Sequence, residues 1–406
     1  MTSQSSTVNA PGQVSFRGYI AEFDGLRALG LSLVMLDHFS LTTFPSYLFQ
    51  LGNLGWIAMD SFFVMSGFLI TGILLDSREK PNFFSTYYAR RSLRIFPLYY
   101  AVLFAWWLIL RHANFGNDYR SMLRYWGSPM WFTFYLGNVR QAMVTFVPNK
   151  IGAAAVWAYA PLWSLQIEEQ FYLLFPLAIA WMRRDHLRRV LIAAIVCSPV
   201  IRCLLYLWQP DNPYLQYVLL PTHCEGIALG ALIAMRFRSG PWEIPRKLLT
   251  ILTGLLLAAT CLGSVWSTWG TRNQAWGSRW DRLAGYSISS LACACLILWL
   301  ICFRGSRYTQ WMRIPPLRYL GKISYGVYLL HPLALWTVIE LAKKGILRFQ
   351  QNDWRYVVYG IGLSLIYASA SWYFFERPFL SIKDRISNYR GRRSPVVELQ
   401  STAIES

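Results

Sequence analysis

Arg27 and His38 stand inside an apolar run, FDGLRALGLSLVMLDHFS at 23–40. They are eleven residues apart. At 100° per residue that is three turns plus about 20°, so a helix sets both on one face with a rise of roughly 16 Å between them. Ionisable side chains inside a membrane helix are costly, and by default they face a cavity or one another. The spacing predicts Arg27 at the cytoplasmic mouth of a cleft and His38 near the bilayer midplane, where an imidazole serves as general base or proton carrier. Asp24, about 60° round the helix from Arg27, is placed to pair with it. Asp37 points about 100° away from His38 and is a candidate to orient the imidazole or a neighbouring helix.

Two more clusters carry chemistry. In YYARRSLRIFPLYY (87–100), Arg91 and Arg94 are three apart and share a face. That spacing suits a polyphosphate, and with Arg27 on the same side it makes a cationic mouth for phosphates such as those of coenzyme A. Arg90 adjoins them, and plain anchoring at the cytoplasmic surface is the competing reading. PLWSLQIEEQFYLLFP (161–176) repeats Ser164, Glu168 and Tyr172 every four residues, a single polar stripe. A buried carboxylate needs a partner, and His38 is the expected one for Glu168; Glu169 points toward another face. Ser66 and Gly67 in FFVMSGFLIT (62–71) read as close helix packing. His223, Glu225 and His331 either line the same cavity or bond across helices.

Apolar helices must position these groups, and composition agrees. Of 406 residues, 55% are apolar and only 15% charged, well below the usual quarter for soluble domains. The expected fold is all-α and polytopic, with about ten spans: 25–47, 54–75, 95–112, 161–182, 190–209, 214–235, 248–267, 283–303, 323–342 and 356–376. A polar tail (1–18) would precede the transmembrane domain (19–380), and a basic tail (381–406) would follow it. With both termini cytoplasmic, the inner segments hold 25 of the 39 basic residues, as the positive-inside bias requires. That distribution also accounts for the net charge of +19 without nucleic acid, since no separate basic domain exists. The aromatic stretch 113–156 reads as a re-entrant or surface-lying segment on the outer side. The seven cysteines fall in apolar stretches without metal spacing, which predicts neither a disulfide framework nor a metal site.

The ordered set of motifs resembles the acyltransferase-3 family of polytopic membrane O-acyltransferases. The resemblance runs through Arg27 and His38, FFVMSGFLIT, Arg91 and Arg94, Ser164-Leu165-x-x-Glu168-x-x-x-Tyr172, ISYGVYLLHP and FFERPF. Gln166 departs from the second serine of many relatives. The resemblance implies a stand-alone membrane module, expected in a bacterial inner membrane. It would move an acyl group, usually acetyl, from cytoplasmic acyl-CoA, a co-substrate rather than a resident cofactor, to a hydroxyl of a glycan or glycolipid. Arg27, Arg91 and Arg94 would hold the donor phosphates. His38 would act as base or acyl carrier, Glu168 would support it, and Tyr172 would help position the acceptor. Asp24, Asp37, Ser66, Ser164 and His331 would have supporting places. The competing class is a proton-coupled transporter or flippase, in which a midplane His and Glu relay protons; an arginine pair has no evident use there.

Overall fold

The computed structural model describes residues 13–14, 19–40, 54–112, 123, 126–144, 158–268, 278–347 and 354–382. In chain order the helices are α1 (Ala21–Ser40), α2 (Gly55–Ser77), α3 (Phe83–His112), the short α4 (Met130–Thr133) and α5 (Gly137–Met143), α6 (Trp163–Trp181) and α7 (Arg184–Trp208). They continue with the short α8 (Pro213–Tyr217) and α9 (Leu220–His223), then α10 (Glu225–Phe237), α11 (Arg246–Thr268), α12 (Tyr286–Cys302), α13 (Pro315–Lys343) and α14 (Trp354–Ser371). The only strands among the described residues, β1 (Gln13–Val14) and β2 (Trp242–Glu243), form one antiparallel pair. The chain is an all-α polytopic membrane protein.

Seven of the described helices are long and apolar enough to cross a membrane. They differ in how much they bury. The most apolar stretch of α2 is 72% buried, while that of α7 is only 17% buried. Val196, Val200, Leu204 and Leu207 stand exposed along α7, the surface a lipid-facing helix presents. Where α2 crosses α10 the backbones nearly touch: a Cβ on Gly67 would lie 2.0 Å from the Ile227 carbonyl oxygen, and one on Gly230 2.0 Å from that of Val64. Small residues permit that approach, as close crossings in membranes require.

The helices α1 and α6, of 20 and 19 residues, occupy two more of the expected span positions. The continuation of the first expected span to 47 lies outside the described residues. The expected span 214–235 is corrected. It is not one helix but three pieces, α8, α9 and α10, interrupted where Leu219 is extended and Pro221 cannot donate. The break frees a carbonyl, and Arg202 of α7 donates to Thr222 O at 2.6 Å. Arg202 also pairs with Glu225 in the first turn of α10, at 2.6 and 3.2 Å. The α3 helix begins at Phe83, twelve residues before its expected span, so Arg90, Arg91 and Arg94 ride on the helix itself.

Ties between connecting segments gather at two places. At one, Arg238 pairs with Asp76 at 2.7 Å, Arg78 donates to the carbonyls of Ala180 and Met182, and Gly305 N donates to Glu22 Oε1 at 2.8 Å. These are the segments whose basic residues suggested a cytoplasmic face. At the other, the described part of 113–156 packs beside the middle of α3 and the first half of α6. Tyr99 and Tyr100 of α3 donate to the carbonyls of Phe132 and Thr133, Gln170 of α6 donates to Tyr135 O, and Asn138 donates to Val218 O.

Candidate functional site

The cationic cluster forms where α1, α3 and α6 converge. Gly25 and Gly321 let the start of α1 press against Met312 and the start of α13 against Asp24, which fixes the Arg27 end of α1. Asp24 accepts from Arg27 at 2.9 Å, the expected pair, and also from the hydroxyl of Tyr19. The guanidinium of Arg91 lies over the Tyr172 ring, 3.4 Å from its centroid, a cation–π contact. Its Nε lies 3.9 Å from Glu169 Oε1, too long for a hydrogen bond, and both atoms are buried without a hydrogen-bond partner among the described residues.

One cavity of about 250 Å³ brings Arg27, Arg91, Arg94, Ser66, Ser164, Glu168 and Tyr172 together, a volume just under the usual range for small-ligand and cofactor sites. The stripe on α6 faces into it as its spacing predicts. Ser66 does more than pack, because its hydroxyl bonds that of Tyr172. Apolar side chains of α1 and α2, among them Leu31, Met59, Phe62 and Phe63, form much of the remaining wall. Arginines at one part and a mostly apolar barrel with a few hydroxyls elsewhere suit an elongated ligand with an anionic head and a less polar arm.

Tyr328 of α13 also lines the cavity. Its hydroxyl donates to Pro161 O at 2.5 Å, so Ser164 Oγ, 2.7 Å away, must be the donor to Tyr328. The histidines lie just beyond. His331 is wholly buried, with Nδ1 2.7 Å from the Tyr328 carbonyl oxygen and Nε2 2.8 Å from His38 Nδ1.

Two expectations change here. The structure brings His331, not Glu168, to His38 Nδ1, because the α6 stripe turns to the cavity while His38 meets α13. Glu169, expected on another face, is the carboxylate nearest the Arg91 Nε and is buried. Asp37 packs on the first turn of α2, its Cγ 3.2 Å from where a Gly55 Cβ would stand. His223 and Glu225 bond across helices: His223 Nε2 to Asp60 Oδ1 at 3.0 Å, and Glu225 to Arg202 and Ser287. Tyr328 went unnoticed in the sequence, although it sits three residues before His331 and so shares its helix face.

Comparison with known proteins follows the same outline. The family model described as an acyltransferase domain, Acyl_transf_3, matches residues 20–373. The chain is 27% identical over 89% of its length to YrhL of Bacillus subtilis, covering 55% of that protein. It is 26% identical to the peptidoglycan O-acetyltransferase OatA of Listeria monocytogenes, over 89% of this chain and 56% of the relative. It is 25% identical to the O-acetyltransferase OatA of Staphylococcus aureus, over 89% and 57%. The chain thus spans about half the length of these curated relatives. No solved structure matches the chain significantly.

Proposed function

The chain belongs to the acyltransferase-3 family, and on that premise we propose that it transfers an acetyl group from acyl-CoA to a hydroxyl of a cell-envelope glycan. The observation that carries this reading is the cavity with arginines at one part and the His38–His331 pair just past Tyr328. Arg27 and His38 are separated by a helical rise of roughly 16 Å. An extended pantetheine arm has the length of about four to five peptide units, which is the same span. A donor whose phosphates meet Arg27, Arg91 and Arg94 therefore delivers its thioester to the depth of the histidines.

In this reading Arg91, braced over Tyr172, and Arg94 take the pyrophosphate and 3′-phosphate charges. Glu168, Ser66 and Ser164 offer the hydrogen-bonding groups that meet the two amides of the arm. His38 removes the acceptor hydroxyl proton as its oxygen attacks the thioester, or first takes the acyl group itself. The names of the Bacillus and Listeria relatives both specify peptidoglycan, and a polymer of that kind is the first acceptor to test.

The test uses cells carrying the gene. Ester-linked acetyl groups on envelope glycans, read by mass spectrometry, should vanish on deletion and return with the wild-type copy but not with His38→Ala. Unchanged glycan acetylation after deletion would contradict the reading.

A further inference from the structure

The histidine pair contains more information than a contact, because its hydrogens can be placed by elimination. His331 Nδ1 lies 2.7 Å from the carbonyl oxygen of Tyr328. A carbonyl only accepts, so that nitrogen carries the hydrogen. In a neutral ring the lone pair of His331 is then on Nε2, which faces His38 Nδ1 at 2.8 Å. Two lone pairs cannot bond to each other. The hydrogen between the rings therefore belongs to His38 Nδ1, and the His38 lone pair belongs to Nε2. The ring planes differ by 23° with centroids 4.9 Å apart, so the rings meet nitrogen to nitrogen and nearly coplanar, as an in-plane N–H donor needs.

We propose that His331 is the positioning residue of the site: it holds His38 in the Nδ1–H tautomer and makes Nε2 the reacting nitrogen. The inference rests on the acyl-transfer reading and deepens it. The relay starts at a backbone carbonyl of α13, so it stays in place while substrates come and go.

The step balances as follows. The Nε2 lone pair takes the hydroxyl proton while the hydroxyl oxygen bonds to the thioester carbonyl carbon. The carbon–sulfur bond breaks, and the sulfur leaves with the proton returned from Nε2, giving an ester and a free thiol. While His38 carries both protons, its Nδ1–H still donates to His331 Nε2, which spreads the positive charge without a carboxylate. A ring flipped to the other tautomer would present N–H to the acceptor and could not act as base. Misplacing a catalytic histidine's tautomer costs about 10⁴-fold in a well-studied triad.

Three variants and one spectrum test this. His331→Leu removes the acceptor, and kcat should fall by about 10²-fold or more, with the donor KM within about threefold of wild type. His331→Gln puts a carbonyl oxygen where Nε2 stands, so it should restore kcat to within about tenfold of wild type. His331→Lys offers only donors and should resemble the leucine variant. A purely structural role would lower all three alike or shift KM with kcat, and either result overturns the proposal. Nitrogen-15 spectra of the resting wild type, assigned with His38→Ala, should show His38 protonated at Nδ1 and bare at Nε2. The reverse tautomer overturns the proposal as well. The spectrum needs no turnover, so it decides the tautomer even if the wild type transfers no acyl group, a failure that would fall on the functional reading alone.

Discussion

Arg91 lies over the ring of Tyr172 at 3.4 Å, and the hydroxyl of that ring is bonded to Ser66. One side chain from each of α3, α6 and α2 is thereby tied into the wall of the same cavity. The arrangement holds a guanidinium that cannot easily lose its charge at a fixed orientation before any ligand arrives.

Arg91→Lys keeps the charge and loses the planar fork and stacked face. Donor affinity should fall about tenfold, equivalent to about 1–2 kcal/mol. Equilibrium binding of labelled acetyl-CoA to detergent-purified protein measures it, and wild-type affinity would show that Arg91 does not meet the donor.

Tyr172→Phe separates the ring from its hydroxyl. The ring still supports Arg91, so donor affinity should stay within about threefold, while loss of the bond to Ser66 costs about 1 kcal/mol of stability. Tyr172→Leu removes the ring and should weaken donor binding about tenfold. Paired binding and thermal-unfolding curves distinguish the two effects; equal affinity in both variants would count against the stack.

The broken element α8–α10 depends on a buried ion pair away from the cavity. Arg202 is fully buried, and Glu225→Ala leaves its charge uncompensated, a loss of about 3–5 kcal/mol. Thermal unfolding in detergent should show a marked drop for Glu225→Ala and substantial recovery in Arg202→Met/Glu225→Leu. A single variant as stable as wild type would mean the pair does not hold the break together.

Backbone contact between α2 and α10 gives a packing test. Gly67→Ala places a Cβ 2.0 Å from a backbone oxygen and should cost about 1–3 kcal/mol or abolish folding. Gly254→Ala on α11, with nothing among the described residues within 4 Å of its new methyl group, should be neutral or slightly stabilising. Comparable yields and unfolding temperatures for the two would refute the crossing.

Much of the site was legible because it is local. Asp24 and Arg27, or Ser164, Glu168 and Tyr172, lie within a few turns of one helix, and helical phase alone decides that they share a face. The partner of His38 was not legible. His331 is 293 residues away, and phase says which way a side chain points but not which helix it meets. Glu169 was missed for a related reason: it does not line the cavity, and only the packing of α3 beside α6 brings Arg91 to its face. The break in 213–237 was hidden by its apolar average, although Pro221, His223 and Glu225 stand inside it. A proline followed by two ionisable residues marks a point where irregular backbone can be satisfied by protein, here by Arg202.

The central claim is that His38 performs acyl transfer from a donor held by the arginine cavity. Purified protein given acetyl-labelled acetyl-CoA and a soluble glycan acceptor measures this most directly, with donor binding followed in the same samples. The wild type should form labelled ester, and His38→Ala should bind donor within about threefold of wild type while losing at least about 10²-fold in turnover. Full ester formation by His38→Ala would contradict the account.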